Sequence, residues 1–191
     1  MNFCIVSGSA RANNNTIRLA KAIEKLVTQL GFSASVIDFE QYDIPLINQG
    51  EIDRENPTSF QKSLIENMQR AEVILIISPE YNWSTTPEIL NWLHRFGETK
   101  FIDLFQNKVF ATLGVSTGKG GKAPVLHLNG ILNKIISFME IESIVSPRIF
   151  ESHFTKEVLD EDGNIQGNEQ FTIGLNKFIA YTIQIANRWF K

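Results

Sequence analysis

Hydrophobic and polar positions divide this chain into alternating strand-like and helix-like stretches. The clearest strand runs from about Glu72 to Ser78 and contains Val-Ile-Leu-Ile-Ile at Val73 to Ile77. That run is too short to span a membrane and is rich in β-branched residues, the pattern of a strand buried on both faces of a parallel sheet. Asn2 to Val6, Ser33 to Phe39, Lys108 to Val115 and Ile144 to Ile149 supply further strands. Between them, apolar residues recur at helical spacing. Leu19, Ile23, Leu26 and Leu30 form one stripe, stopped by Gly31, and Phe60, Leu64 and Met68 form another, started by Pro57-Thr58. Thr85, Thr86, Pro87 and Glu88 combine a hydroxyl cap, a first-turn proline and an early carboxylate, which predicts a third helix. A fourth covers Pro124 to Met139, and Phe171, Leu175, Phe178, Thr182 and Trp189 mark the last. Glu40 to Pro57 has little periodicity and reads as a long connection.

Five strands alternating with five helices predict a doubly wound α/β sandwich with a parallel sheet and right-handed crossovers. One domain spanning residues 1–191 is expected, since no repeat or linker divides the chain. Apolar residues make up 43% and the net charge is −3, which describes a soluble globular protein and weighs against nucleic acid or anionic membranes as partners. Cys4 is the only cysteine, so no intramolecular disulfide forms, and it reads as a small buried hydrophobe. The N-terminus has no basic region followed by a long apolar run, so a cytoplasmic location is expected. His94, His127 and His153 match no metal spacing, and Asp160-Glu161-Asp162-Gly163 breaks the calcium-loop pattern and reads as a solvated turn. No metal is therefore expected.

In doubly wound proteins, ligands bind beyond the carboxyl ends of the strands. The first such loop, Gly8-Ser9-Ala10-Arg11-Ala12-Asn13-Asn14-Asn15-Thr16, enters a helix whose free N–H groups and dipole favour an anion. Ser9, Asn14 and Thr16 can donate hydrogen bonds there, and Arg11 can offer a charged fork; a plain helix cap is the alternative. The second loop is Ser78-Pro79-Glu80-Tyr81-Asn82. The third, Gly114 to Lys122, contains Gly-Val-Ser-Thr-Gly, which matches a hydrolase nucleophile elbow but does not enter a helix at once. A serine hydrolase using Ser116 with His153 is a distant rival. The loop reads instead as a flexible glycine-rich segment that can approach a flat ligand. Together the loops point to one ligand that carries a phosphate.

Gly8-Ser9-x-Arg11, Ser78-Pro79-Glu80-Tyr81-Asn82 and Ser116-Thr117-Gly118-x-Gly120-Gly121 resemble, in order and spacing, the NAD(P)H-dependent FMN reductases, which include quinone, chromate and azo-dye reductases. Asp43-Ile44-Pro45-Leu46 and the acidic turn at Asp160 are similar as well. The resemblance implies a flavodoxin-like three-layer sandwich, a five-stranded parallel sheet in 2-1-3-4-5 order with helices on both faces. It implies that Ser9, Arg11, Asn14 and Thr16 hold the FMN phosphate, that Pro79, Glu80, Tyr81 and Asn82 border the isoalloxazine ring, and that Ser116, Thr117 and Gly118 approach its other edge. Hydride would pass from NADH or NADPH through FMN to a quinone-like or other small-molecule electron acceptor, with no catalytic acid or base assigned. A non-catalytic flavodoxin-like electron carrier is the alternative. A homodimer or homotetramer is expected, with the wide apolar arc of Ile89, Leu90, Trp92, Leu93 and Phe96 as a candidate interface. The chain departs from the family pattern at Asn14 and Thr16, where Ser and Asn are more usual; at Trp83, where Gly is usual; and at Asn91 to Arg95, where Lys, Asn and Asp are missing. Trp83 would stack near the flavin face, narrow access to it, or serve a core or interface.

Overall fold

Strand pairing follows the apolar runs. The computed structural model describes residues 1–191, and its sheet has the order β2-β1-β3-β4-β5, all parallel. The strands are β1 (Asn2–Ser7), β2 (Ser33–Asp38), β3 (Val73–Pro79), β4 (Val109–Val115) and β5 (Ile144–Val145), with β6 (Phe150–Ser152) beside the far end of β4. Phe3 pairs with Val73, and Val73 with Val109, so three strands end level at one edge of the sheet. This is the flavodoxin-like arrangement, and the order reverses between β1 and β3, where a crevice opens.

Helices α1 (Asn15–Gln29) and α6 (Glu169–Trp189) cover one face; α2 (Ser59–Arg70), α3 (Pro87–Phe96) and α4 (Lys122–Phe138) cover the other. α5 (Thr155–Val158) is a single turn after β6. Alternation along β3 explains the two cores: Ile74 and Ile76 pack toward α2–α4, while Val73, Leu75 and Ile77 pack toward α1 and α6. Every residue of β3 is buried, as its unbroken apolar run requires. Asn14 caps α1, Thr58 and Gln61 form a capping box on α2, Thr86 caps α3 ahead of Pro87, and Asn168 caps α6.

The fifth strand departs from expectation. Ile144–Val145 pairs with Val109 and Phe110, the Ser146 N–H still donates to the Phe110 carbonyl at 2.7 Å, Pro147 to Ile149 leaves the ladder, and Phe150–Ser152 pairs with Leu113 to Val115. Pro147 has no N–H to give. The break carries the strand three residues further than the sequence suggested, to Ser152 instead of Ile149, and so moves the loop after it. Helix α4 starts at Lys122, two residues early, because Pro124 is still within the first turn, where no N–H is needed.

The apolar arc of α3 is consumed inside the chain. Ile89, Trp92, Leu93 and Phe96 are fully buried, leaving Leu90 half-buried. Two polar residues on the same helix, Asn91 and Arg95, are buried too and hold the long 40–57 connection. Asn91 Nδ2 donates to the Tyr42 hydroxyl at 2.7 Å and to the Ile44 and Pro45 carbonyls at 3.2 Å. Arg95 donates to the Gly50 carbonyl at 2.8 Å. The segment that departs from the family pattern thus has a structural task. No helix is long and apolar enough to cross a membrane.

Candidate flavin site

The cleft lies where the loops after β1, β3 and β4 meet. It has a volume of about 260 Å³, and its walls include Ser9, Arg11, Asn13, Asn14, Pro79, Glu80, Tyr81, Ser116 and Thr117. Cross-links between loops fix its shape. The Ser9 hydroxyl meets the Tyr81 hydroxyl at 3.2 Å, and the Arg11 guanidinium lies over the Tyr81 ring at 4.3 Å. That cation–π contact aims the fork across the cleft. Thr86 Oγ1 donates to the Gly8 carbonyl at 2.8 Å, joining the start of α3 to the first loop.

Asn14 shapes the first loop from behind. Its side-chain oxygen accepts the Ile17 N–H at 2.8 Å and the Thr16 hydroxyl, and its amide donates to the Arg11 carbonyl at 2.8 Å. Thr16 is fully buried, and its hydroxyl meets Ser7 at 2.9 Å, so it does not face the cleft. Ser7 also reaches Asp38, whose carboxyl is pushed up by burial, opposed by the Glu40 N–H. No protein group accepts from the N–H groups of Ala12, Asn13 or Asn15, and Asn15 Oδ1 is buried without a partner. These are unsatisfied groups in a concave wall, ready for a ligand.

The glycine-rich loop is clamped rather than loose. The Glu80 carboxylate accepts the Gly121 N–H, and His153 Nδ1 accepts the Gly120 N–H at 3.1 Å. Phe154 N–H donates to Gly118 and Thr155 N–H to Ser116, at 3.0 and 3.1 Å. Gly114 and Gly121 touch so closely that a Cβ on Gly114 would lie 2.0 Å from the Gly121 carbonyl oxygen. The Ser116 hydroxyl accepts from Gly118 N–H at 3.2 Å, and His153 is occupied by Gly120, so no serine–histidine pair forms.

Of the residues singled out in the sequence, Thr16, Asn82 and Gly118 stand outside the cleft wall and the others line it. Five residues not singled out in the sequence join them: Ala12, Asn13, Asn15, Val115 and Lys156. Lys156 comes from α5, and neither it nor Arg11 has a carboxylate partner, so the cleft presents two uncommitted cations. The signal for Lys156 was the rule about strand ends, applied to a strand that in fact ends at Ser152. No group of histidine, cysteine or carboxylate side chains could hold a metal.

A profile of the NADPH-dependent FMN reductases matches residues 1–149. The chain belongs to this family. Among relatives, a probable NADPH:quinone oxidoreductase 2 of Oryza sativa subsp. japonica is 28% identical over 166 residues, covering 84% of this chain and 76% of its own. The flavoenzyme FerB, an NAD(P)H:(acceptor) oxidoreductase from Paracoccus denitrificans, superposes with a TM-score of 0.73 at 17% identity, covering 97% of both chains. A flavodoxin from the domain Archaea superposes with a TM-score of 0.58 at 16% identity over 100% of both chains, which bears on the fold. The FMN-reductase family match ends before Lys156, so this cation lies beyond the part of the chain that the family profile describes.

The unsatisfied N–H groups, the orphaned Asn15 oxygen and the uncommitted cations fit the phosphate and ribityl chain of FMN. The enclosed volume is below that of pockets that swallow a drug-sized ligand, roughly 300–1,000 Å³. A ligand held here keeps part of its surface open, as a reductase needs.

Proposed function

We propose that this family member is an FMN-dependent oxidoreductase that carries electrons from NADH or NADPH to a quinone-like or other small acceptor. The observation that carries the proposal is the meeting of three strand-end loops on one cleft, whose wall combines anion donors with Pro79, Glu80, Tyr81 and Thr117. Ser9, Arg11 and the free N–H groups of Ala12, Asn13 and Asn15 would hold the phosphate, with Lys156 as a second cation. Asn14 and Thr16 would keep that loop in shape. Pro79, Glu80 and Tyr81 would border the ring, and Asn82 and Gly118 would sit at its margins. The Thr117 N–H, which no protein group accepts, would donate to it. Bound FMN would supply the redox chemistry, in which NAD(P)H, a quinone and one proton give NAD(P)⁺ and the hydroquinone. The protein's share is to orient the ring, exclude water from one side and place donors where negative charge develops.

Leu93, Leu126, Ile131 and Ile135 line an apolar groove of about 620 Å³ between α3 and α4. Association into a homodimer or homotetramer would close it, and sedimentation of the FMN-loaded protein tests this. For the activity, protein purified without added cofactor is examined by visible absorption, titrated with FMN, and assayed for NADH and NADPH oxidation with menadione. Saturable FMN binding and quinone-dependent oxidation are expected. A protein indifferent to saturating FMN would overturn the proposal, and FMN binding without turnover would make it an electron carrier.

A further inference from the structure

Trp83 occupies a position where a tryptophan is unfavourable and covers nothing. The chain reverses between Tyr81 and Ser84, whose backbones exchange hydrogen bonds of 2.9 and 3.0 Å. The two residues at the tip, Asn82 and Trp83, have φ of 48° and 60°. A two-residue turn of this hand favours Asn followed by Gly, since the second position crowds any Cβ. Asn82 obeys the rule and Trp83 breaks it with the largest side chain there is. Burial does not compensate, because Trp83 is 80% exposed. A bulky residue held in a sparsely populated conformation beside a cleft points to a role in binding.

Its place is well determined. Tyr81 lines the cleft and is tied to Ser9 at 3.2 Å, while Ser84 on the other arm meets His127 Nδ1 at 3.3 Å. The turn is therefore braced on both sides, and Trp83 follows Tyr81 by two residues, outside the cleft wall and open to solvent. An exposed indole offers a flat apolar face with an electron-rich π system, which suits offset stacking on another flat ring. Its chain neighbours Asn82, Ser84 and Thr85 are polar, and a single exposed ring suits one flat molecule.

Resting on the flavin-reductase function proposed above, we infer that Trp83 is a stacking platform for a planar aromatic acceptor of the quinone class, and that it sets the enzyme's preference for flat acceptors over compact ones. Trp83→Gly tests this, because fold and function predict opposite signs. Glycine relaxes the turn, so the Tm of the flavin-free protein should rise by about 2 °C. The dissociation constant of menadione from the oxidised, FMN-loaded protein should increase about tenfold, and its KM with it, while the KM for ferricyanide, which has no ring to stack, stays within about twofold. Trp83→Phe should recover most of the menadione affinity. An unchanged menadione constant in Trp83→Gly, with FMN still bound, overturns the inference and leaves the flavin function intact. Equal loss of FMN and menadione affinity also overturns it, assigning the indole to the flavin. So does a change from dimer to monomer with unaltered kinetics, which would assign the indole to a second copy of the chain. Failure of the wild-type protein to bind FMN at all would instead remove the function on which the inference rests.

Discussion

Arg11 and Lys156 show how single residues divide the work at the anion end of the cleft. Arg11 is oriented by the Tyr81 ring, whereas Lys156 is delivered by a turn of helix from the other end of the sequence. If both meet a phosphate, Lys156→Gln should weaken FMN binding about tenfold, the worth of one charge-assisted hydrogen bond. Riboflavin, which lacks the phosphate, should bind the variant and the wild type alike. Flavin-fluorescence titrations with both ligands check this, and equal losses for the two would mean that Lys156 serves the fold. Thr16 and Asn14 illustrate the converse. Their residue types suit a phosphate, yet their side chains are spent on each other, on Ser7 and on the first turn of α1. Type and position along the chain were legible at these residues; the direction in which each side chain points was not.

At the scale of elements, close approach decides more than composition does. The end of β4 and the start of α4 meet through Gly114 and Gly121, and no side chain fits between them. Gly114→Ala should therefore destabilise the protein by about 3 kcal/mol, the upper range for overpacking, measurable by urea unfolding. The long 40–57 connection is held by Asn91 and Arg95 and, further along, by Arg54, which grips Asp103 with a two-pronged hydrogen bond. That contact lowers the Asp103 carboxyl below its ordinary value. A carboxylate whose pKa is lowered by folding stabilises the fold above the unfolded value, roughly 3.9, and the gain is lost as pH falls through the lower folded value. Asp103→Asn should thus cost under about 1 kcal/mol at pH 7, since the pair is partly exposed, and the gap to wild type should narrow as pH falls below the unfolded value, roughly 3.9. Urea midpoints at neutral and acid pH read it directly.

For the whole molecule, Cys4 reports on global opening. It lies at the centre of β1, fully buried, and burial pushes its thiol up to about 12. At pH 8 almost no thiolate is present in the native state, so labelling by iodoacetamide should track unfolding and accelerate sharply at the urea midpoint. Fast labelling of the native protein would mean that β1 opens locally. The succession of strands and helices along the chain, the doubly wound class with its parallel sheet and the loops that follow its strands were legible in the sequence alone. Those features rest on local periodicity, capping and turn chemistry, which act between near neighbours. Tertiary structure alone decided that the fifth strand breaks around Pro147 and resumes at Phe150, that Lys156 thereby reaches a cleft begun by Ser9, that the apolar arc of α3 is buried rather than displayed, and that Trp83 is left in water. Each of these depends on contacts between segments far apart in the chain, where packing rather than periodicity chooses which side chain is enclosed and which remains free.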